Sequence, residues 1–68
     1  MIEELVLYQT LKAIDRNMGS AHINYVRLAC HDQEGKTLSY KQTRDALYRV
    51  RVKGAAIQHI GKGVYTYA

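Results

Sequence analysis

The chain has 68 residues, and a chain of this length forms one domain with a small core. Hydrophobic residues make up 47% and charged residues 24% of the sequence, which is typical of a folded domain rather than a disordered segment. No apolar run approaches the roughly 18 residues that a membrane-spanning helix needs. We therefore expect one domain over residues 1–68, with no membrane segment and no room for separate catalytic and binding units.

The formal net charge of +4 is unevenly distributed along the chain. Residues 1–38 hold four basic and five acidic side chains, a charge of −1, whereas residues 39–68 hold six basic and one acidic, a charge of +5. This asymmetry indicates a polyanionic partner, such as nucleic acid, for the second half of the chain. The alternative is a solvated basic face that only keeps the protein soluble.

The cysteine and histidine content argues against disulfides and metal sites. The single cysteine, Cys30, excludes an internal disulfide and fits a reducing, cytoplasmic environment. His22, His31 and His59 match no zinc-ligand spacing with Cys30. There is also no phosphate-binding glycine loop and no pair of catalytic carboxylates. We expect no metal, no cofactor, no small-molecule substrate and no enzymatic activity.

The acidic start of the chain predicts no secretory signal.

The first predicted element is a helix from Ile2 to Asn17, closed by Gly19 in a left-handed conformation. Its inward stripe consists of Leu7, Leu11, Ile14 and Met18. A second apolar surface predicts contact with another copy of the chain, although the rest of the monomer could cover it instead. This possible dimer interface comprises Ile2, Leu5, Val6 and Ala13.

The segment "SAHINYVRLACHD" predicts a shorter second helix, capped by Ser20. Alternatively, "HINY" forms a short strand that leads into a helix near Val26. The inward face of this helix is predicted to comprise Ile23, Val26 and Cys30, widened by Tyr25, Leu28 and Ala29. A loop follows, with its turn at Gly35.

The third predicted helix begins after Ser39, with Gln42 as a capping-box partner, and stops at Gly54. Its inward stripe is Thr43, Ala46, Leu47 and Val50. Arg51 and Lys53 suit the negative C-terminal end of a helix, whereas Lys41 and Arg44 lie near the positive N-terminal end. Cations are unfavourable there, which indicates an external anionic partner.

The chain finishes with "AAIQHI" and "VYTYA" around "GKG", a pattern that predicts a β-hairpin with Ile57 and Tyr65 facing inward. Together, "LSYKQTRDALYRVRVKGAAIQHIGKGVYTYA" resembles a winged helix-turn-helix domain. The resemblance implies a mainly α fold in which three helices precede a two-stranded wing. Small regulators of phages, plasmids or archaeal viruses are similar in size. The link "DQEGKTL" is longer than the usual tight turn of such domains.

The resemblance implies that the third helix enters the major groove of double-stranded DNA and that the wing contacts the backbone. Arginine reads guanine and glutamine reads adenine, while hydroxyl and lysine side chains meet phosphates. The groove-facing set, carried over by position, is Ser39, Tyr40, Lys41, Gln42, Arg44, Asp45 and Tyr48. Arg49 and the wing residue Lys62 are predicted to be sequence-independent phosphate contacts.

These features predict a small, sequence-specific transcriptional regulator that acts on DNA, with a homodimer as the plausible form. One alternative is a protein-interaction adaptor or anti-regulator on the same fold that uses Tyr48, Val52 and the second apolar row of the first helix. Another is an RNA or single-strand binder that uses its tyrosines. Tyr65 is expected in the core, and Tyr67 either stacks on a base or packs on the first helix.

Overall fold

A computed structural model describes residues 2–68, which fold into three helices and three strands. The elements, in chain order, are α1 (Ile2–Arg16), β1 (Ser20–His22), α2 (Ile23–Leu28), α3 (Tyr40–Val52), β2 (Ile57–Gly61) and β3 (Val64–Tyr67). The strands form an antiparallel sheet in the order β1-β3-β2. The prediction of three helices and a terminal hairpin is confirmed, but the sheet has three strands rather than two, so the fold is mixed α and β.

The additional strand, β1, replaces the predicted start of the second helix. Ser20 does not cap that helix; Ser20–His22 pairs with β3, and Ala21 lies opposite Tyr65. The cap of α2 is His22, whose Nδ1 accepts a hydrogen bond from the backbone N–H of Asn24 at 3.1 Å. The alternative interpretation of "HINY" as a strand leading into a helix is the closer one. This segment pairs with the otherwise free edge of β3, because an unpaired edge strand leaves its backbone N–H and C=O groups without partners.

The end of α1 differs from the prediction at Met18. The helix ends at Arg16, and Met18 itself takes the left-handed conformation with φ of 61° and is 96% exposed. The N–H of Gly19 then bonds the carbonyl of Ile14 at 2.9 Å. Met18 therefore does not extend the inward stripe of α1, because it lies beyond the last helical turn.

The core is formed where α2, α3 and the sheet pack on α1. Two residues of the predicted dimer interface, Val6 and Ala13, lie inside this core and are 0% and 3% exposed. Val6 packs on the rest of the monomer and is closed to another chain, whereas Ala13 shows its small exposed part in a groove between α1 and α2. Ile2 and Leu5 pack against the core but stay partly exposed.

The helix α2 is too short to bury the broad face that its sequence predicts. The side chains of Ile23, Val26 and Cys30 are all buried in the core. The predicted flanking residues Tyr25, Leu28 and Ala29 are instead exposed. A helix of six residues presents a single narrow stripe at the i, i+3 spacing, so its other apolar side chains face outward.

The long link between α2 and α3 is a folded loop. The Oδ1 atom of Asp32 accepts backbone hydrogen bonds from Glu34 and Lys36, both at 2.9 Å. The N–H of Leu38 bonds the Cys30 carbonyl at 2.9 Å, and the buried Leu38 side chain inserts into the core. These contacts fix where α3 begins.

Burial raises the pKa of the Cys30 thiol, in keeping with its predicted role as a small core residue.

An ion pair joins α1 to α3. Arg49 Nε donates to Glu3 Oε2 at 2.7 Å. The pKa of Glu3 lies below its ordinary value because a backbone hydrogen bond and then the Arg49 side chain favour the carboxylate. Arg49, predicted as a phosphate contact, is therefore already paired within the protein.

Within residues 2–68, no helix combines the length and the apolar character needed to cross a membrane.

The hairpin is fastened to the helices at Gly63. The carbonyl of Gly63 accepts a hydrogen bond from the N–H of Ile23 at 2.7 Å, and Gly63 has φ of +78°. A Cβ atom at this position would lie 2.9 Å from Ile23 Cγ2 and 3.1 Å from His22 Nε2. Only glycine satisfies both the left-handed backbone and this close approach.

Substitution of Gly63 tests this constraint. We expect Gly63→Ala to destabilise the protein by about 2–3 kcal/mol, because the methyl group both strains the backbone and displaces Ile23. The matched control is Gly35→Ala: Gly35 also has positive φ, +81°, but nothing lies within 4 Å of its Cβ position. That variant should lose only about 1 kcal/mol. Urea midpoints measure both, and equal losses would contradict the packing constraint.

The pH dependence of stability tests the α1–α3 ion pair. A carboxyl group whose pKa is depressed by folding stabilises the native state above its unfolded pKa, and that contribution disappears as the pH falls through the folded pKa. We therefore expect Glu3→Gln to lower the melting temperature at neutral pH. The difference from the wild type should shrink once the pH falls below the unfolded pKa of about 4.5 and vanish below the lower, folded pKa. Glu34→Gln, in the loop before α3, should follow the wild-type curve when both are measured at concentrations that keep the chain monomeric. A pH-independent difference for Glu3→Gln would contradict the ion-pair contribution.

Candidate nucleic-acid interface

The start of α3 is fixed by a complete capping box. Ser39 Oγ accepts from the N–H of Gln42 at 3.1 Å, and Gln42 Oε1 accepts from the N–H of Ser39 at 2.9 Å. Thr43 Oγ1 adds a bond to the Ser39 carbonyl at 2.9 Å. Reading adenine needs both the oxygen and the nitrogen of a glutamine amide. Gln42 would have to break its capping bond to make that contact. In this structure, Ser39 and Gln42 instead stabilise the start of α3.

The outward face of α3 carries most of the remaining predicted contacts. Lys41, Arg44, Tyr48 and Arg51 recur at the i, i+3, i+7, i+10 spacing that places side chains on one helical face. Asp45 is the acidic member of this face, and Tyr40 begins it. We call these six residues the α3 face: Tyr40, Lys41, Arg44, Asp45, Tyr48 and Arg51.

An exposed ion pair orients one arginine on the α3 face. Arg44 Nη2 lies 3.3 Å from Asp45 Oδ1, and the two side chains are 53% and 42% exposed. A pair so exposed contributes little to stability, since solvent screens it. Its consequence is positional: the Arg44 guanidinium is held beside Asp45 at the surface, where it remains open to a further anionic or base partner.

A groove separates the α3 face from the hairpin. The α3 wall is lined by Arg44, Asp45, Tyr48 and Arg51, and the hairpin wall by His59 and Tyr65. The His59 ring stacks on Tyr65 with centroids 4.8 Å apart and an interplanar angle of 19°. His59 Nε2 also accepts from the N–H of Gly63 at 3.3 Å, which ties the ring to the hairpin turn.

The charges that line the groove affect the pKa of Tyr65. The predicted core position is confirmed, because Tyr65 is only 2% exposed, with Ile57 at 4%. Burial raises the pKa of the Tyr65 hydroxyl, while the positive charges of Arg51 and Arg44 act in the opposite direction. Arg44 and Arg51 thus bring two positive charges to the groove against the one negative charge of Asp45, and this excess favours an anion entering from outside.

The hairpin tip presents Lys62. Gly61, Lys62 and Gly63 all have positive φ, of 110°, 48° and 78°. The turn therefore lifts the exposed Lys62 away from the core between two glycines. At the other end of the sheet, the Tyr67 hydroxyl donates to the carboxylate of Asp15 on α1. Of the two roles predicted for Tyr67, packing on the first helix is the one that the structure shows.

The structure thus divides the predicted contacts into four groups. Tyr40, Lys41, Arg44, Asp45 and Tyr48 share the α3 face, and Lys62 lies at the hairpin tip. Ser39 and Gln42 form the cap, and Arg49 pairs with α1.

Sequence reasoning overlooked two residues of the groove, Arg51 and His59. Arg51 follows Arg44 by seven residues and Tyr48 by three, so a helical projection would have placed it on the same face. It had been assigned to the helix dipole instead. His59 alternates with Ile57 and lies opposite Tyr65, so a projection of the hairpin strands would have placed it beside Tyr65 once their register was known.

Among residues 2–68, no group of three or more histidine, cysteine, aspartate or glutamate side chains is arranged to hold a metal ion. Comparisons with protein-family models, curated proteins and solved structures found no match to this chain. The function is therefore inferred from the side chains and the geometry described above.

Proposed function

We propose that the protein binds double-stranded DNA as a winged-helix domain, with α3 in the major groove and Lys62 on the flanking backbone. The observation that carries this proposal is the α3 face. It is a solvent-exposed helical surface with three cations, Lys41, Arg44 and Arg51, and one acid, Asp45, and it borders the hairpin across an open groove. Such a surface suits a polyanion whose shape admits a helix.

The arrangement of elements supports this proposal. In a winged-helix domain, a terminal hairpin flanks the helix that enters the groove. Here β2 and β3 follow α3 in the chain and border it across the groove, and β1 joins their sheet from between α1 and α2. The folded loop between α2 and α3 takes the place of the tight turn, and the bond between Arg27 Nε and the Leu38 carbonyl at 2.9 Å helps to hold it.

Docking would use the N-terminal end of α3 first. The backbone N–H groups of Tyr40 and Lys41 belong to the first turn, where helical N–H groups lack an intrahelical partner and attract phosphate. The Lys41 ammonium would meet the same backbone region. Arg44, one turn further on, would reach the base edges, where bidentate contact to guanine is its characteristic readout.

The rest of the surface would position the domain without reading sequence. Arg51 lines the groove and Lys62 lies on the hairpin tip, so each would neutralise a phosphate beside the inserted helix. The use of Gln42 in the capping box leaves Arg44 as the main base-reading side chain of this proposal. A single domain of this kind buries roughly 600–1,000 Å² on DNA, which gives modest affinity.

The salt dependence of binding tests the role of Lys41. If Lys41 neutralises one phosphate, Lys41→Ala should reduce the slope of log K against log salt by about 0.9. Lys36→Ala, in the loop before α3, removes the same charge from outside the α3 face and should leave the slope unchanged. Fluorescence anisotropy with a mixed-sequence duplex measures both. Absence of any salt-sensitive duplex binding by the wild type at low salt would overturn the proposed function.

A second candidate function is supported by two exposed apolar side chains in the C-terminal half of α3. Tyr48 and Val52 are 62% and 68% exposed, and a protein partner could cover them. Binding to such a partner should survive reversal of the charges at Lys41 and Arg44 but be lost on Tyr48→Ala. DNA binding should respond in the opposite order, with the charge reversals causing the larger loss.

A further inference from the structure

A line of side chains runs the length of α1 on a face next to the core. Ile2, Leu5, Gln9, Lys12 and Arg16 follow the i, i+3, i+7, i+10, i+14 spacing, so they share one side of the helix. All five are partly or fully exposed. We call this line the α1 stripe; it is distinct from the inward stripe of α1 described above. It is apolar at the N-terminal end of α1 and basic at the C-terminal end.

The basic end of the α1 stripe is bordered by exposed apolar groups of α2. A groove brings Lys12 and Arg16 together with Tyr25 and Leu28, and no acidic residue lines it. Tyr25 and Leu28 are 54% and 61% exposed. Lys12 Nζ lies 5.0 Å from the centroid of the Tyr8 ring, a cation–π contact that holds the ammonium beside the groove.

The opposite end of the α1 stripe has the same character with the opposite charge. There Ile2 and Leu5 line a second groove with the loop that follows α2. This loop contributes Asp32 and Glu34, and no lysine or arginine is among the described residues that line the groove. His31 and Gln33 complete its polar wall. Each end of the stripe therefore combines an apolar floor with charges of one sign.

We propose that a second copy of this chain covers the α1 stripe, with the two α1 helices antiparallel about a two-fold axis. A two-fold axis places the start of one α1 on the end of the other. The acidic groove of each copy then meets the basic groove of its partner, at both ends of the interface. The exposed Tyr25 and Leu28 become covered against Ile2 and Leu5, which explains why α2 displays apolar groups that the core does not use.

The choice of occupant follows from this complementarity. A foreign acidic segment would satisfy the basic end and be repelled by the acidic end, whereas a second copy satisfies both. No residue of α3 or of the hairpin lines either groove. The α3 face of each copy stays open in the dimer, so the inference is independent of the proposed DNA binding and can fail or hold without it.

The apolar contact is tested by sedimentation equilibrium over a concentration series. The wild type should show a reversible monomer–dimer equilibrium, and Leu28→Asp should weaken the dimer by roughly ten-fold or more. The matched control is Val52→Asp, which changes an equally exposed apolar residue at the far end of α3 and should leave the dimer intact. A wild type that stays monomeric up to about 1 mM would overturn the proposal, as would a dimer disrupted only by Val52→Asp.

The orientation is tested by charge exchange. Lys12→Glu and Glu34→Lys, each alone, place like charges opposite one another and should yield monomers, while an equimolar mixture of the two variants should form heterodimers. The double variant that carries both substitutions should again form a homodimer. Circular dichroism checks that each variant is folded. Failure of the mixture to associate, or the appearance of species larger than dimers, would overturn the two-fold antiparallel arrangement.

Discussion

The contact between Gly63 and the start of α2 is the constraint on which the arrangement depends. A two-stranded hairpin is marginal in water on its own. Here the hydrogen bond from Ile23 to the Gly63 carbonyl and the pairing of β1 with β3 attach the hairpin to the helices. The same attachment sets the width of the groove beside α3. A side chain at position 63 would force Ile23 or the hairpin aside, and the cationic groove would change shape with it.

The charges of α3 are divided by the helix periodicity between two duties. Arg49 faces α1 and pairs with Glu3, which ties the helix to the first element of the fold. Arg44 and Arg51 face the groove, where they act on Tyr65, and Lys41 stays exposed at the start of the helix. The capping box lets α3 begin cleanly despite a cation in its first turn. A helix can in this way carry an excess of positive charge and remain well anchored.

Much of the fold could be read from periodicity and capping, and the errors have physical causes. Ser39 and Gln42 were recognisable as a capping pair, and the glycines around Lys62 indicated the hairpin. By contrast, β1 exists because β3 offers a free edge, which only the assembled sheet creates. Tyr25 and Leu28 have core-forming character, yet a six-residue α2 has no room to bury them. The side chain that meets Arg49 lies 46 residues away and could not be inferred from local sequence.

The central claim is that the protein has two separate surfaces, with the α3 face and the hairpin tip meeting DNA. Backbone amide chemical shifts of the full chain, titrated with a duplex at low salt, test this claim most directly. The account predicts that the largest changes fall between Tyr40 and Val52 and between His59 and Gly63, while the amides of the α1 stripe stay unchanged. Changes confined to α1 and α2, or no changes at all, would contradict it.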